Sequence, residues 1–448
     1  MTTATAFARD LRSHLEHSPM SVYQWAIVAC AVLLNANDGF DVAAMSFVSL
    51  NVENEFGLSG SVLGTVISAT LVGMAIGAVV IGRLADVLGR RWTVVGSAAL
   101  STIGMFLAAS SQDVVQLGVW RVLTGLGVGG ILASITVITS EYSSARWRGL
   151  AIGVYSAGYG VGAFLGGLAA NGLQAEFGWR AVFFVGASVS VLIVIALALI
   201  TPESVQFLVT RRPKYADRAL GRIAARVGYD PARATLAQQV DESAPSVGKS
   251  GLSELFSRKV IVATVLLWVA FFTVMFGFYF VNSWTPRLMT EAGMTQEQGV
   301  YIGMALAIGG TIGSVLYGII AARVEREKLL LAFLLISAAT IIVFVLSTAL
   351  LTIAMVLGVL VGLLVNGCIA GMYSVAPTRY STSARGTGVG AALAVGRVGA
   401  ILAPIMGGAM LDSGWTLVML YSSAAIMLVV GAVAVVFLRR IPEPDEAS

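Results

Sequence analysis

The sequence predicts an all-α membrane protein of twelve transmembrane helices, arranged as two pseudo-symmetric bundles of six. Three observations carry this. The 448 residues are 57% hydrophobic and only 12% charged, with a mean hydropathy of +0.86; a soluble domain carries about twice that share of charge. Roughly twelve apolar runs recur, each close to the ~20 residues that cross a hydrocarbon core. A weak internal repeat relates the first six runs to the last six. Length alone would suggest about two or three soluble domains, and the apolar runs overrule that prior.

Along the chain, residues 1–20 form a polar tail that holds both histidines, His14 and His17. No cleavable signal is expected, because the tail is polar and the first apolar run is too long for a signal-peptide core. The first bundle, 21–200, has runs centred near Leu33, Leu71, Gly104, Gly127, Gly158 and Leu192. A polar stretch, 201–258, follows with Arg211, Arg212, Lys214, Arg218, Arg222 and Arg226, then Pro245, Gly248 and Lys249. It reads as a cytoplasmic linker with a surface helix near Tyr215 to Val227. The second bundle, 259–438, has centres near Phe272, Gly309, Ile336, Val359, Gly399 and Ile426; residues 439–448 form a short tail. Between the halves Arg148 matches Arg385, Gly149 matches Gly386, Gly153 matches Gly390 and Gly162 matches Gly399. Gly82 matches Gly318 and Arg90 matches Arg326 at the same offset to within one residue. Two similar six-helix halves are a transporter plan with a site near mid-membrane between them. Glycines at Gly125 and Gly129, and at Gly158, Gly162 and Gly166, share helix faces at a spacing of four, which lets backbones pack closely.

The net charge of +4 is topological and no sign of a nucleic-acid partner. Of the 28 Lys and Arg residues, all but Arg121, Arg180, Arg287 and Arg397 fall in the two tails and the even-numbered loops. The positive-inside rule therefore places both termini in the cytoplasm. Cys30 and Cys368 both sit in apolar runs as small buried residues, not as a disulfide. With no histidine in the spans, no metal site is expected there. No phosphate-binding loop and no nucleophile–base constellation appears, so neither an ATPase nor an enzyme is expected, and no cofactor.

Ionisable groups within a membrane are expensive and are functional candidates by default. There are four: Asp38, Asp41, Arg121 and Arg397. Asp38 and Asp41 are three apart, on nearly one helix face. If the first helix ends near Val48, Asp41 lies about 10 Å below the outer surface. Arg121 reaches a similar depth if its helix starts near Val114, so an ion pair is expected. Two close carboxylates in a low dielectric do not both ionise easily, and one is expected to carry the coupling proton. Arg397 has no acidic neighbour in its own helix. Its guanidinium fork fits a carboxylate ligand in two parallel hydrogen bonds, or an aspartate across the bundle. The seventh span is aromatic-rich, and Phe272, Phe276 and Tyr279 share a face able to stack on a planar ring. Tyr279, Asn282 and Trp284 have polar tips that want partners; Tyr155, Tyr159, Asn366 and Tyr373 are weaker candidates.

The string Gly82-Arg-Leu-Ala-Asp86-Val-Leu-Gly89-Arg90-Arg91 resembles the cytoplasmic loop signature of the major facilitator superfamily, and Arg121-Val-Leu-Thr-Gly125 resembles its fourth-helix signature. Pro202-Glu203-Ser204 looks like a further superfamily feature that discriminates little among substrates. The resemblance implies the major facilitator fold. On physical grounds Asp86 is expected to accept from helix-end donors and pair with a basic residue, with Glu141, Arg90 and Arg148 in the same gating network. Asn37-Asp38-Gly39-Phe40-Asp41, Tyr279 to Pro286 and Gly396-Arg397-Val-Gly399 resemble the aromatic acid/proton symporters within it. That resemblance implies proton-coupled uptake of a benzoate or hydroxybenzoate, with the acidic pair on Asp38 and Asp41 and the helix-eleven arginine on Arg397.

The expectation is thus an alternating-access symporter, a monomer in the bacterial cytoplasmic membrane, whose partners are a small aromatic carboxylate, protons and the bilayer. Proton coupling falls to Asp38 and Asp41. Substrate contact falls to Arg121, Arg397, Tyr279, Asn282, Trp284 and Phe276. The rivals are a proton-driven efflux antiporter, a symporter of another organic anion or a sugar, and a ligand-binding membrane sensor. Against efflux, the fifth span has Gly158-Tyr159-Gly160 and no proline.

Overall fold

The computed structural model describes residues 3–229, 256, 260–348, 350–381 and 384–441. Pro245, Gly248 and Lys249 of the expected linker, and the tail beyond residue 441, lie outside the described residues. A short helix α1 (Thr3–His17) precedes six long ones: α2 (Val22–Phe56), α3 (Gly60–Leu88), α4 (Arg90–Ala109), α5 (Val114–Glu141), α6 (Arg148–Phe177) and α7 (Trp179–Ile200). Two short helices follow, α8 (Val205–Arg211) and α9 (Ala216–Val227). The second six are α10 (Ile261–Glu291), α11 (Gln296–Ala321), α12 (Arg326–Leu346), α13 (Leu351–Val375), α14 (Arg385–Asp412) and α15 (Leu417–Leu438). All 12 long helices are apolar enough to span a membrane, and each contains one expected run centre in order. There is no strand among the described residues.

Local chemistry fixes the helix ends. Ser21 and Thr295 form capping boxes with Gln24 and Gln298, while Ser59, Asp113 and Thr416 cap their helices by side chain. Gly57 closes α2 in the left-handed conformation. The first helix does not stop near Val48. It continues to Phe56 because Asn51, Glu53 and Glu55 are polar residues that stand beyond the apolar run without ending the helix. Asp41 is therefore about 22 Å from the end of α2.

Each bundle packs by the same scheme. In the first, α2 meets α6 and α7, α3 meets α5, and α4 meets α5 and α7. In the second, α10 meets α14 and α15, α11 meets α13, and α12 meets α13 and α15. The bundles join through the equivalent pairs α3–α14 and α6–α11. This pseudo-two-fold is the repeat in three dimensions. Residues such as Leu192, Ile319, Leu346 and Val356 stand exposed around the outside, an apolar belt that suits lipid.

The two ends differ. On one, the linker face, α1, α8 and α9 pack together beneath the first bundle, with Leu11, Leu15, Leu208 and Leu220 buried among them. The expected polar tail is thus an amphipathic helix. On the other, the far face, the bundles are clamped. Asp412 accepts from the backbone N–H of Gly60 (2.6 Å) and Ser61 (2.9 Å). Arg287 pairs with Glu53 at 2.6 Å, and Ser68 Oγ donates to the Ile401 carbonyl at 2.7 Å. Toward the linker face, Gly149 and Gly153 of α6 and Gly386 and Gly390 of α14 face open space. The bundles are thus clamped to each other at the far face, while these four glycines have no neighbour within 4 Å.

Candidate functional site

Mid-way along the groove between the bundles the sequence-predicted ions come together. Arg121 on α5 donates Nη1 to Asp41 Oδ1 at 2.5 Å and Nη2 to the Asp41 carbonyl at 3.2 Å. Both side chains are 1% exposed. The guanidinium also lies over the Phe183 ring, 5.2 Å from its centroid. Asp38, one turn earlier, is 2% exposed, and neither carboxyl oxygen has a hydrogen-bond partner among the described residues. Its neighbour Asn37 is anchored on Ser190 Oγ (3.3 Å), which shares a hydrogen bond with Thr102. Asn35 donates to the Tyr155 carbonyl at 2.7 Å.

Close packing of α2 on α6 sets this register. A methyl group at Gly162 would collide with the Ala36 carbonyl, and one at Gly39 with the Tyr159 carbonyl. The contact carries Tyr159 against the acidic pair: its hydroxyl is within electrostatic reach of Asp38 and Asp41, and also of Arg397 and Tyr279 from the other bundle. Arg397 on α14 is half-buried and makes no hydrogen bond or ion pair with the described residues. Tyr373 on α13 stands within reach of Arg397 and Tyr279. A cleft of about 400 Å³ runs between α6, α10 and α11, lined by Tyr159, Phe278, Asn282, Thr311 and Asn366. A smaller one of about 40 Å³ continues toward α2, past Tyr279, Ser283 and Ser46. Pro286 in α10 and Pro404 in α14 each remove a backbone donor close to this region.

With fold and site in view, the comparisons with known proteins are specific. The family model described as Major Facilitator Superfamily matches residues 28–353 and 301–448. The chain belongs to the major facilitator superfamily. It is a transporter and not an enzyme. It is 33% identical over 410 residues to the 4-hydroxybenzoate transporter PcaK of Pseudomonas putida, covering 91% of this chain and 90% of that one. It is 30% identical over 429 residues to a gallate transporter of the same organism, covering 95% and 94%. Among solved structures, an inward-facing, occupied bacterial homologue of the human lysosomal transporter Spinster superposes with TM-score 0.74 at 18% identity, over 95% of this chain and 98% of that one. A D-xylose-proton symporter gives TM-score 0.73 at 19%, over 94% and 98%. These two likenesses concern the fold.

Three expected substrate contacts of the transporter are already engaged within the protein. Trp284 is 1% exposed, and its indole N–H is spent on the Pro404 carbonyl at 3.1 Å. It packs α10 on α14, so its polar tip is already satisfied. Phe276 is equally buried and stacks on Phe272. Arg121 is occupied by Asp41, which leaves Arg397 as the guanidinium at the site with no protein partner among the described residues. Tyr279 and Asn282 do line the clefts.

The expected gating network also differs in detail. Asp86, Arg90, Glu141 and Arg148 all lie at the linker face, and Glu141 is within electrostatic reach of Arg90 as expected, but the hydrogen bonds of these residues go to other groups. Arg148 reaches Glu16 of α1 at 3.2 Å, and Glu141 accepts from Ser204 Oγ at 2.9 Å. The exposed Asp86 offers its backbone carbonyl, not its carboxylate, to Arg211. The helix-end donors expected to meet Asp86 go to Glu203, whose Oε1 accepts from the N–H groups of Arg90 (2.7 Å), Arg91 (3.1 Å) and Ser204 (2.9 Å). A buried carboxylate thereby caps α4. In the sequence Glu203 stands inside a string that discriminates little. Its place directly after an apolar run, four spans from the Gly-Arg-Arg turn, carries no pairing signal.

Proposed function

We propose that the chain takes up a small aromatic carboxylate, of the benzoate or hydroxybenzoate kind, together with protons, by alternating access. It does so as a monomer in the bacterial cytoplasmic membrane, with the linker face and both termini cytoplasmic. The observation that carries this reading is the unengaged Arg397 guanidinium, on one bundle and within electrostatic reach of Tyr159 on the other. A planar fork with no protein partner matches a carboxylate in two hydrogen bonds. Tyr159, Phe278 and Tyr279 supply aromatic faces for the ring. The names of the relatives, which carry aromatic acids, agree with that cargo.

Coupling is divided between the two aspartates. Asp41 balances Arg121 and holds α2 on α5. Asp38, with both oxygens unpartnered, would be an uncompensated charge if ionised in this dry setting, so the protonated acid is the form that fits. In this conformation, clamped at the far face, Asp38 holds the proton that is released toward the linker face after the substrate. The two bundles, 21–200 and 259–438, rock about the site.

Reconstituted protein with labelled 4-hydroxybenzoate tests the scheme. An inside-alkaline gradient should drive accumulation, and Asp38→Asn should abolish accumulation while counterflow persists. Accumulation by that variant matching wild type would remove Asp38 from coupling. Arg397→Lys keeps the charge but loses the fork, so KM should rise on the order of tenfold; an unchanged KM would exclude bidentate contact.

A further inference from the structure

We propose that the linker face carries a built site for the headgroup of an anionic phospholipid, held between α9 and the ends of α2, α4 and α7. The site is a cavity of about 350 Å³ lined by Arg91, Arg222 and Arg226, with Trp92, Leu199 and Tyr23 on its walls. It is separate from the transport groove and none of its arginines serves transport in the scheme above.

Its composition divides by height. Leu199 and Trp92, at the ends of two spans, are 69% and 56% exposed, an apolar wall where acyl chains would lie. Arg222 and Arg226 come from α9, which crosses beneath them. Their spacing of four puts both on one helix face. Arg226 lies over the Tyr23 ring at 5.0 Å and donates Nη1 to the Tyr23 hydroxyl at 3.2 Å, which holds it toward α2. Arg91 gives Nη2 to the Ala198 carbonyl at 2.6 Å and keeps Nε buried without a partner. Glu203 also lines the cavity, but its Oε1 takes three backbone N–H groups at the start of α4, which offset its charge.

Three guanidiniums converging under an apolar wall at headgroup depth match a phosphodiester with chains attached, because arginine forks read phosphate oxygens and basic pockets between spans take acidic headgroups. Inorganic phosphate shares the charge but uses none of the apolar wall. Bound there, the lipid would tie α9 to three spans of the first bundle.

Native mass spectrometry of the full-length protein, titrated with phosphatidylglycerol, phosphatidylcholine or inorganic phosphate, tests this. Wild type should retain phosphatidylglycerol in preference to phosphatidylcholine, and Arg222→Gln with Arg226→Gln should lose about tenfold or more in that affinity. Arg222→Lys with Arg226→Lys should retain most of it, and Arg218→Gln, on the same helix but off the cavity, should change nothing. Should the double glutamine variant fail to fold, Arg222→Gln alone is read the same way. Undiminished phosphatidylglycerol binding by the glutamine variants would overturn the site, as would equal binding of phosphatidylcholine. Displacement of the lipid by millimolar inorganic phosphate would overturn the lipid assignment.

Discussion

Asp41 and Arg121 are paired with both side chains 1% exposed. Removing one partner of a buried pair strands the other charge, which costs about 3–5 kcal/mol. Asp41→Asn should therefore lower the melting temperature of detergent-purified protein sharply, and Asp41→Asn with Arg121→Gln should recover much of the loss. If the double variant melts as low as the single one, the pair is not what stabilises the site. Asp38→Asn should behave oppositely, with an unchanged or raised melting temperature, because no hydrogen bond to the carboxylate is lost. These residues were legible in the sequence because membrane burial of an ion is so unfavourable that composition alone singles them out. Trp284 and Phe276 were not. Which face of α10 meets the groove depends on where α14 packs, and an aromatic stripe reads alike on either side.

The α2–α6 contact is the element on which the site's register rests. With Gly162 against the Ala36 carbonyl, Gly162→Val must separate the helices, and overpacking of this kind costs about 1–3 kcal/mol. We expect a lower melting temperature and loss of uptake. Gly172→Val, on the same helix but facing open space, should leave both near wild type. Equal behaviour of the two variants would mean that the close approach does not position the site. The four-residue glycine spacing announced this packing, and twelve helix centres could be read from hydropathy. Helix ends could not, as α2 shows: its last two turns are polar but stay helical. Helix α1 was hidden for a related reason, since Leu11 and Leu15 are too few to lift a polar stretch above the hydropathy of a tail.

On the scale of the whole molecule, the halves and their repeat were visible, but the far-face clamp was not. Glu53–Arg287 and Gly60–Asp412 join residues hundreds of positions apart, and nothing local marks them as partners. The clamp predicts how the conformational balance can be moved. Ser68 is buried between the bundles, and Cys30 and Cys368 are both buried, so Ser68→Cys reports opening over a quiet background. Glu53→Gln with Asp412→Asn should raise its labelling by an impermeant maleimide several-fold. Unchanged labelling would mean that the closed far face does not depend on these contacts.

The length of α2 beyond the buried pair has a mechanical consequence. From Asp41 to Glu53 the helix is a stiff rod of about 18 Å, so tilting it by roughly 10° at Asp41 sweeps Glu53 through about 3 Å. That exceeds the tolerance of a hydrogen bond. Glu53 and Arg287 are therefore engaged or fully parted, with little room between. A modest disturbance at the buried carboxylates is magnified at the rim into a latch with two positions.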